Sequence, residues 1–117
     1  MTYVIVTIKA LRDPEAFQQY AERAKPIIDR HGGQYIVIEK APEVRDGQWH
    51  FVRTVIVAFP SFEAALGWYD SPEYREIIPL RKRAFDANIA LVRDLSEAPV
   101  EGYPLPAASA PQRVTSG

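Results

Sequence analysis

The sequence of 117 residues contains no cysteine. Disulfide bonds, thiolate nucleophiles and cysteine-based zinc sites are therefore excluded. GxSxG, P-loop, GxGxxG and CxxC motifs are also missing, so acyl-enzyme, nucleotide and dithiol chemistries have no support. The two histidines, His31 and His50, form no HxxE or HxxxH pattern. We therefore predict no metal site, no haem ligation and no other cofactor.

Neither sign of charge dominates, and no long apolar run is present. The sequence has 14 Lys and Arg residues and 15 Asp and Glu residues, which gives a formal net charge of -1. Such a balance disfavours nucleic acid and anionic membranes as partners. No apolar run approaches the ~20 residues of a membrane span, and the first residues carry no basic leader or cleavage site. We predict a cytoplasmic protein with neither a nucleic-acid nor a membrane partner.

The N-terminal third predicts one strand and one long helix. Residues 3–9 are rich in β-branched side chains and indicate a central strand. Asp13 can cap a helix whose first position is Pro14, and the glycines at 32–33 can end it. Because Pro26 removes a backbone donor inside this helix, we expect a kink there rather than two helices.

Two further strands form a predicted hairpin. The first, residues 34–40, alternates so that one face carries Tyr35, Val37 and Glu39, and the other Ile36 and Ile38. The second, residues 49–59, is the longest predicted strand. The loop between them contains the turn residues Pro42, Asp46 and Gly47.

A broken helix pair occupies residues 59–85. Ser61 and Ser71 can each cap a helix, the second with proline at its first position. In the second helix one stripe at helical spacing comprises Tyr74, Ile77, Ile78, Arg81, Ala84 and Phe85. Arg81 is therefore a charge among apolar neighbours. A last strand is predicted over residues 87–94.

The predicted order βαββαβ is that of the ferredoxin-like fold, an α+β class in which helices cover one face of an antiparallel sheet. Large apolar side chains remain for the uncovered face, and the candidates are Tyr3, Ile5, Tyr35, Val37, Phe51, Val55 and Val57. Such a surface predicts a partner, and we expect a homodimer formed by the helix-free faces.

The chain divides into one domain, residues 1–95, and a tail, residues 96–117. The final 22 residues hold four of the ten prolines and only three charges. Proline at this density disfavours a regular helix or an internal strand. We expect the tail to run extended over the surface of its own or of the other subunit, with Tyr103 and Leu105 as anchors.

Three stretches carry a resemblance to a known family: His-Gly-Gly at 31–33, Arg-Thr-Val-Ile-Val-Ala-Phe-Pro-Ser-Phe-Glu-Ala-Ala at 53–65 and Trp-Tyr-Asp-Ser-Pro-Glu-Tyr at 68–74. Together they resemble small bacterial proteins known as domain of unknown function 1330, over about residues 2 to 95. The resemblance implies a dimeric α/β barrel, in which two ferredoxin-like subunits pack sheet against sheet. That group includes cofactor-independent monooxygenases, muconolactone-isomerase-like enzymes, haem-degrading enzymes and members without known activity. It therefore assigns no catalytic residues to this sequence.

The candidate catalytic residues are Arg53, Arg81 and His31. An arginine in mid-strand or on an apolar stripe needs a carboxylate, a carbonyl cluster or a ligand anion. The structural interpretation sends Arg81 to solvent or pairs these arginines with a carboxylate, for which the candidates are Glu39, Glu76 and Asp70. In the functional interpretation Arg53 or Arg81 stabilises an oxyanion, and His31 as a general base, or a tyrosine, moves a proton. At a helix C-terminus His31 is also favoured simply as a cation.

Trp68, Tyr69 and Tyr74 are the candidate ligand-binding residues, although core packing explains such spacing equally well. Two hypotheses follow. The first is a cofactor-independent enzyme acting on a small carbonyl- or enol-bearing molecule, by monooxygenase- or isomerase-like chemistry. The second is a non-catalytic dimer that binds a small ligand or serves as a structural module. A pocket in which an arginine meets His31 or a tyrosine without a carboxylate partner favours the first.

Overall fold

The computed structural model describes residues 1–105 as a four-stranded antiparallel sheet with three helices. In chain order the elements are β1 (Thr2–Leu11), α1 (Pro14–Arg30), β2 (Gln34–Glu39), β3 (Arg53–Phe59), α2 (Phe62–Tyr69), α3 (Pro72–Ala84) and β4 (Phe85–Arg93). The strands are arranged β2-β3-β1-β4. This topology confirms the predicted ferredoxin-like α+β fold, with its second helix split into α2 and α3.

Each helix begins at the predicted cap. The Asp13 carboxylate accepts the N–H groups of Glu15 and Ala16, each at 3.1 Å. The Ser61 and Ser71 hydroxyls each accept the N–H three residues further on, also at 3.1 Å. These bonds satisfy donors that have no partner within the helix. α1 is one helix, as predicted, although it contains proline.

The glycine pair after α1 serves two different needs. Gly32 has φ +82, a left-handed conformation that ends the helix. Gly33 allows a close approach instead, because a Cβ atom there would lie 2.6 Å from Ile28 Cγ2 and 2.7 Å from the Phe59 ring. The chain therefore turns from α1 into β2 directly over the core.

The strand predicted over residues 49–59 is shorter in the structure, so that prediction is wrong at its start. β3 begins at Arg53, and β1, with 10 residues, is the longest strand instead. Because β2 ends at Glu39, the residues before β3 have no strand to pair with on that side. The Val52 N–H donates to the Ile8 carbonyl at 2.8 Å. The predicted antiparallel pairing of β2 with β3 is confirmed.

Phe85 marks a second boundary that differs from the prediction. It belongs to β4 rather than to the helical stripe, with φ -159 and ψ 162. The last strand therefore starts earlier than the predicted residue 87. The Phe85 ring is buried against α1. The predicted helical stripe and the observed strand therefore both place this side chain on the side that faces the core.

A bulge in β2 changes which side chains share a face. Tyr35 pairs with Val57, but the next pairs join Val37 to Ile56 and Ile38 to Val55. Tyr35 and Ile38 therefore both face the helices, and the predicted grouping of Tyr35 with Val37 is wrong. Strict alternation cannot reveal an inserted residue.

The register also sorts the candidates for the helix-free face. Tyr35, Val55 and Val57 face the helices. The apolar residues left on the other face by strand alternation are Tyr3, Ile5, Val37, Ile56, Ala58, Ala90 and Val92. The remaining candidate, Phe51, precedes β3 and lies outside the four strands.

The chain beyond β4 is bonded to the core through Glu97. Its carboxylate accepts hydrogen bonds from the Thr2 hydroxyl and, at 2.8 Å, from the Phe62 N–H at the start of α2. The predicted anchors, Tyr103 and Leu105, are 67% and 58% exposed and anchor nothing within this subunit. The rest of the predicted tail, residues 106–117, lies outside the described residues.

Candidate functional site

A cavity of about 500 Å³ lies between the helices and the sheet. All four strands contribute side chains to its floor, and α1, α2 and α3 supply its walls. Its exposed lining residues, Ala21, Lys25 and Ile38, place its mouth between α1 and β2. Its volume falls within the range of pockets that hold small organic ligands.

Five aromatic rings, each in contact with the next, form one side of this cavity. Successive ring centroids are separated by 5.6, 5.5, 6.3 and 4.5 Å in the order Phe17, Phe85, Tyr20, Tyr74 and Trp68. We call these five residues the aromatic wall. Because neighbouring rings meet edge-on or tilted, the wall is a continuous apolar surface against which a flat or extended molecule can pack.

A chain of hydrogen bonds runs through the wall. Arg81 Nη1 donates to the Tyr74 hydroxyl at 3.0 Å and reaches the Tyr69 hydroxyl at 3.5 Å. The Tyr74 hydroxyl also lies 2.7 Å from that of Tyr20. A guanidinium only donates, so one phenolic hydrogen serves the bond between the two tyrosines and the other is left over. Both tyrosines line the cavity, where a ligand oxygen can accept this hydrogen.

The phenols at the cavity are protonated at neutral pH. Burial raises the pKa of Tyr20 well above its usual value. Burial also raises the pKa of Tyr74, although the positive charge of Arg81 opposes this shift. Across the cavity, burial raises the pKa of Tyr35 to about 12. These groups therefore act as hydrogen-bond donors and not as bases.

Two more donors at the cavity have no hydrogen-bond partner in the described part of the chain. Trp68 is 2% exposed, and its indole Nε1 is buried and unpaired. Arg53 Nε is likewise buried and unpaired, with its guanidinium carbon 5.1 Å from the Phe17 ring centroid. An unpaired buried donor costs free energy, because it has lost its contact with water without gaining a protein acceptor.

The structure brings some of the predicted site residues together and not others. Arg53, Trp68 and Tyr74 line the cavity, and Arg81 and Tyr69 stand behind Tyr74. Within residues 1–105 no carboxylate lies within 4.0 Å of Arg81, so it pairs with none of the candidates Glu39, Glu76 and Asp70.

His31 lies apart from this group. It follows the last residue of α1, and its Nδ1 is 2.9 Å from the Ile27 carbonyl oxygen. It is not among the residues that line the cavity. The structure therefore brings arginine and tyrosine together without an imidazole.

Sequence reasoning did not single out Tyr20 and Tyr35 as site residues. Tyr20 lies on the apolar face of α1, where periodicity shows only a buried residue. Its partner Tyr74 is 54 positions away in the sequence. A hydroxyl on an otherwise apolar helix face was the available signal, since a buried phenol needs a hydrogen-bond partner.

Two further properties concern the described residues alone. Residues 1–105 contain no group of three His, Asp or Glu side chains placed to hold a metal ion. In the same segment, none of the helices has the length and hydrophobicity needed to cross a membrane.

Several solved structures are similar to this chain. The RPA0582 protein of unknown function from Rhodopseudomonas palustris is 21% identical with a TM-score of 0.66, over 80% of this chain and 82% of that one. SnoaB, a cofactor-independent oxygenase from Streptomyces nogalater, is 16% identical with a TM-score of 0.53, over 85% and 96%. An uncharacterized NIPSNAP domain protein from Burkholderia xenovorans is 13% identical with a TM-score of 0.53, over 89% and 99%. At these identities the likeness concerns the fold.

No curated protein matches the sequence. A family match gives the firmer result, because it covers the whole sheet and all three helices. The sequence model of the domain of unknown function DUF1330 matches residues 1–95, and this chain therefore belongs to the DUF1330 family.

Proposed function

We propose that this protein is a cofactor-independent enzyme that binds a small, largely apolar molecule in the cavity and stabilises negative charge on its carbonyl or enol oxygen. The observation that carries this proposal is the Arg81–Tyr74–Tyr20 chain, which leaves one phenolic hydrogen for a ligand. An arginine and two tyrosines meet there, and no carboxylate of residues 1–105 lies within 4.0 Å of the arginine. The arrangement is that of an oxyanion-stabilising donor.

The chemistry follows from what the donor can do. When a ketone loses a proton from its α carbon, the electron pair moves onto oxygen and an enolate forms. A phenol hydrogen-bonded to a buried guanidinium strengthens its own hydrogen bond to that oxygen as the charge develops. Arg81 is 9% exposed, so water screens this effect only weakly. Where the ketone is conjugated to a double bond, the dienolate can be reprotonated at its γ carbon, which is isomerisation. Alternatively the α carbon of the enolate can form a bond to dioxygen, and a proton from solvent then completes a hydroperoxide.

The fold gives limited support for the oxygen-dependent outcome. SnoaB, which shares the fold, is a cofactor-independent oxygenase. In this chain the cavity is lined almost entirely by apolar groups, which suits an organic substrate and excludes bulk water. Oxygen consumption with enolisable aromatic ketones or quinols distinguishes oxygenation from isomerisation.

The experiment compares Tyr74→Phe with Tyr69→Phe. Removing the Tyr74 hydroxyl takes away the group that connects the Arg81 guanidinium to the cavity, and we expect kcat/KM to fall roughly 10²-fold for the best ketone or quinol. The Tyr69 hydroxyl contacts Arg81 but does not line the cavity, so Tyr69→Phe should stay within a few-fold of the parent. Equal activity of the parent and Tyr74→Phe contradicts the proposal.

One observation favours the alternative, a non-catalytic binding protein. The lining residues include no carboxylate and no imidazole, so the cavity offers no obvious group to remove a proton. The alternative expects saturable binding of the same ketones with no turnover and no oxygen uptake. An enzyme of the proposed kind must therefore take substrates that lose a proton readily, such as β-diketones, which have an acidic α proton, and quinols, which have an acidic phenolic one.

We also propose that the protein is a homodimer of a bacterial cytoplasm. The apolar residues on the helix-free face support the dimer, since a stable interface requires about 800 Å² per partner. The bacterial sources of the similar structures support the origin. The near-neutral net charge of -1 gives no attraction to nucleic acid or to anionic membranes, and this supports a protein that is free in the cytoplasm.

A further inference from the structure

We infer that the cavity selects monoanionic ligands, with a carboxylate at Arg53 and a carbonyl at the tyrosine pair. This inference rests on the proposed function, because it assigns a second recognition point to the same cavity. It goes beyond that function by naming the substrate class: a small apolar keto acid. Arg53 plays no part in the Arg81–Tyr74–Tyr20 chain and is argued from its own surroundings.

Arg53 is a cation with unused donors. It is the first residue of β3 and pairs with Ile8 on the helix-facing side of the sheet. Its guanidinium carbon lies 5.1 Å from the Phe17 ring centroid, and its Nε is buried without a hydrogen-bond partner. No carboxylate in residues 1–105 lies within 4.0 Å of it. An arginine so placed is suited to receive a carboxylate from a ligand.

Arg53 lies at one end of the cavity, and the length of the cavity separates it from the opposite end. Arg53 and Val57 both line it and are four residues apart along β3, which spans about 13 Å in an extended strand. At the far end, Trp68 packs 4.5 Å from Tyr74, centroid to centroid. The aromatic wall connects the two ends. A ligand that reaches both ends therefore needs an apolar middle section.

The lining residues carry two cationic side chains and no carboxylate. Besides Arg53, the polar groups are the Lys25 ammonium, which only donates, and the hydroxyls of Tyr20, Tyr35 and Tyr74, which donate and also accept. Lys25 Nζ already pairs with Asp29 at 2.8 Å, which leaves Arg53 as the cation without an acidic partner. A ligand with acceptors at both ends and no donors fits this lining better than an amine or an alcohol.

The test uses binding of three matched probes: 8-oxononanoate, its methyl ester and nonan-2-one. Each carries the same methyl ketone on a medium-length chain, and only the first is an anion. Trp68 is one of two tryptophans, so Trp49→Phe leaves it as the single reporter of the cavity. Fluorescence titration in this background gives Kd, and calorimetry with the parent checks it.

We expect the acid to bind at least tenfold more tightly than the ester. Arg53→Met should remove that advantage, about tenfold or more in Kd for the acid, and leave the Kd of the ester within about twofold. Arg23→Met is the matched control, and its Kd for the acid should change by less than about threefold because Arg23 is exposed on α1 and does not line the cavity. Arg53→Lys, which keeps the charge, should retain part of the preference and serves if Arg53→Met does not fold.

The outcomes separate the two proposals. If the ester and the ketone bind but the acid binds no more tightly, the inference of an anionic ligand is overturned and the proposed function is unaffected. If the neutral probes and the acid all fail to bind, the inference is overturned together with the ketone-binding role of the cavity. If Arg23→Met loses as much affinity as Arg53→Met, general electrostatic attraction explains the preference for the acid, and the inference is again overturned.

Discussion

Arg81 Nη1 lies 3.0 Å from the Tyr74 hydroxyl, and this bond between two buried residues replaces the ion pair that a buried arginine usually forms. The difference matters for stability. Breaking a buried ion pair leaves an uncompensated charge behind, whereas removing Arg81 leaves two neutral phenols that can still bond to each other.

We therefore expect Arg81→Met to lower the free energy of unfolding by about 1.5–3 kcal/mol, the range for hydrogen bonds to a charged group. The loss should stay below the roughly 3–5 kcal/mol of a broken buried ion pair. Urea unfolding measures it. Arg83→Met, an exposed change on the same helical turn, is the control and should cost little. A loss as large as that of a broken ion pair would reveal an acidic partner and contradict our account of Arg81.

Gly33 and Gly67 give a pair of substitutions with opposite expected signs. At Gly33 a new methyl group would lie 2.6 Å from Ile28 and 2.7 Å from Phe59, so Gly33→Ala should cost about 1–3 kcal/mol of stability. At Gly67, inside α2, the nearest atom is 3.8 Å away, and Gly67→Ala should stabilise by up to about 1 kcal/mol. Thermal unfolding compares them. A neutral Gly33→Ala would mean that the turn after α1 has room to move.

The sequence was sufficient for the fold because its local signals agree with one another. Asp13, Ser61 and Ser71 each cap a helix in the structure, and the βαββαβ order follows from periodicity. The errors arise where a distant partner decides the outcome. The start of β3 depends on where β2 ends, and the face of Val37 depends on a bulge.

The candidate site was predictable only in part for the same reason. Arg81 was singled out as a charge on an apolar stripe, and that stripe also contained Tyr74. Nothing local connects either residue with Tyr20, because the contact joins α1 to α3. The unpaired state of the Trp68 and Arg53 nitrogens is likewise a property of the packed structure and not of spacing.

Glu97 predicts a specific loss of stability in acid. The hydrogen bonds from Thr2 and Phe62 lower the pKa of Glu97 below its usual value of 4.5. A lowered carboxyl pKa contributes stability that is complete above the unfolded pKa and is lost as the pH falls through the folded one. We expect Glu97→Gln to have a lower melting temperature than the parent at neutral pH. The difference between the two melting temperatures should narrow as the pH falls below 4.5.

Glu101→Gln is the control for that comparison, since Glu101 is exposed and makes no hydrogen bond in the described residues. A difference in melting temperature between the parent and Glu97→Gln that stays constant with pH would mean that the charge of Glu97 is not involved.

The hydrogen bonds of Glu97 also bear on the division into a domain of residues 1–95 and a tail. We expect a chain ending at residue 95 to fold, but to melt below one ending at residue 98.

Ile5 and Ile56 are register partners on the helix-free face and give the last prediction. If that face joins two copies, the protein of 13.2 kDa should sediment at about twice this mass at micromolar concentration. Ile56→Glu would bury an unpaired carboxylate twice in a symmetric interface, which costs several kcal/mol, so the variant should sediment as a folded monomer. Leu66→Glu places the same charge on the exposed side of α2 and should leave the dimer intact. A parent that sediments as a monomer removes the dimer proposal, and an Ile56→Glu variant that remains dimeric places the interface on another surface.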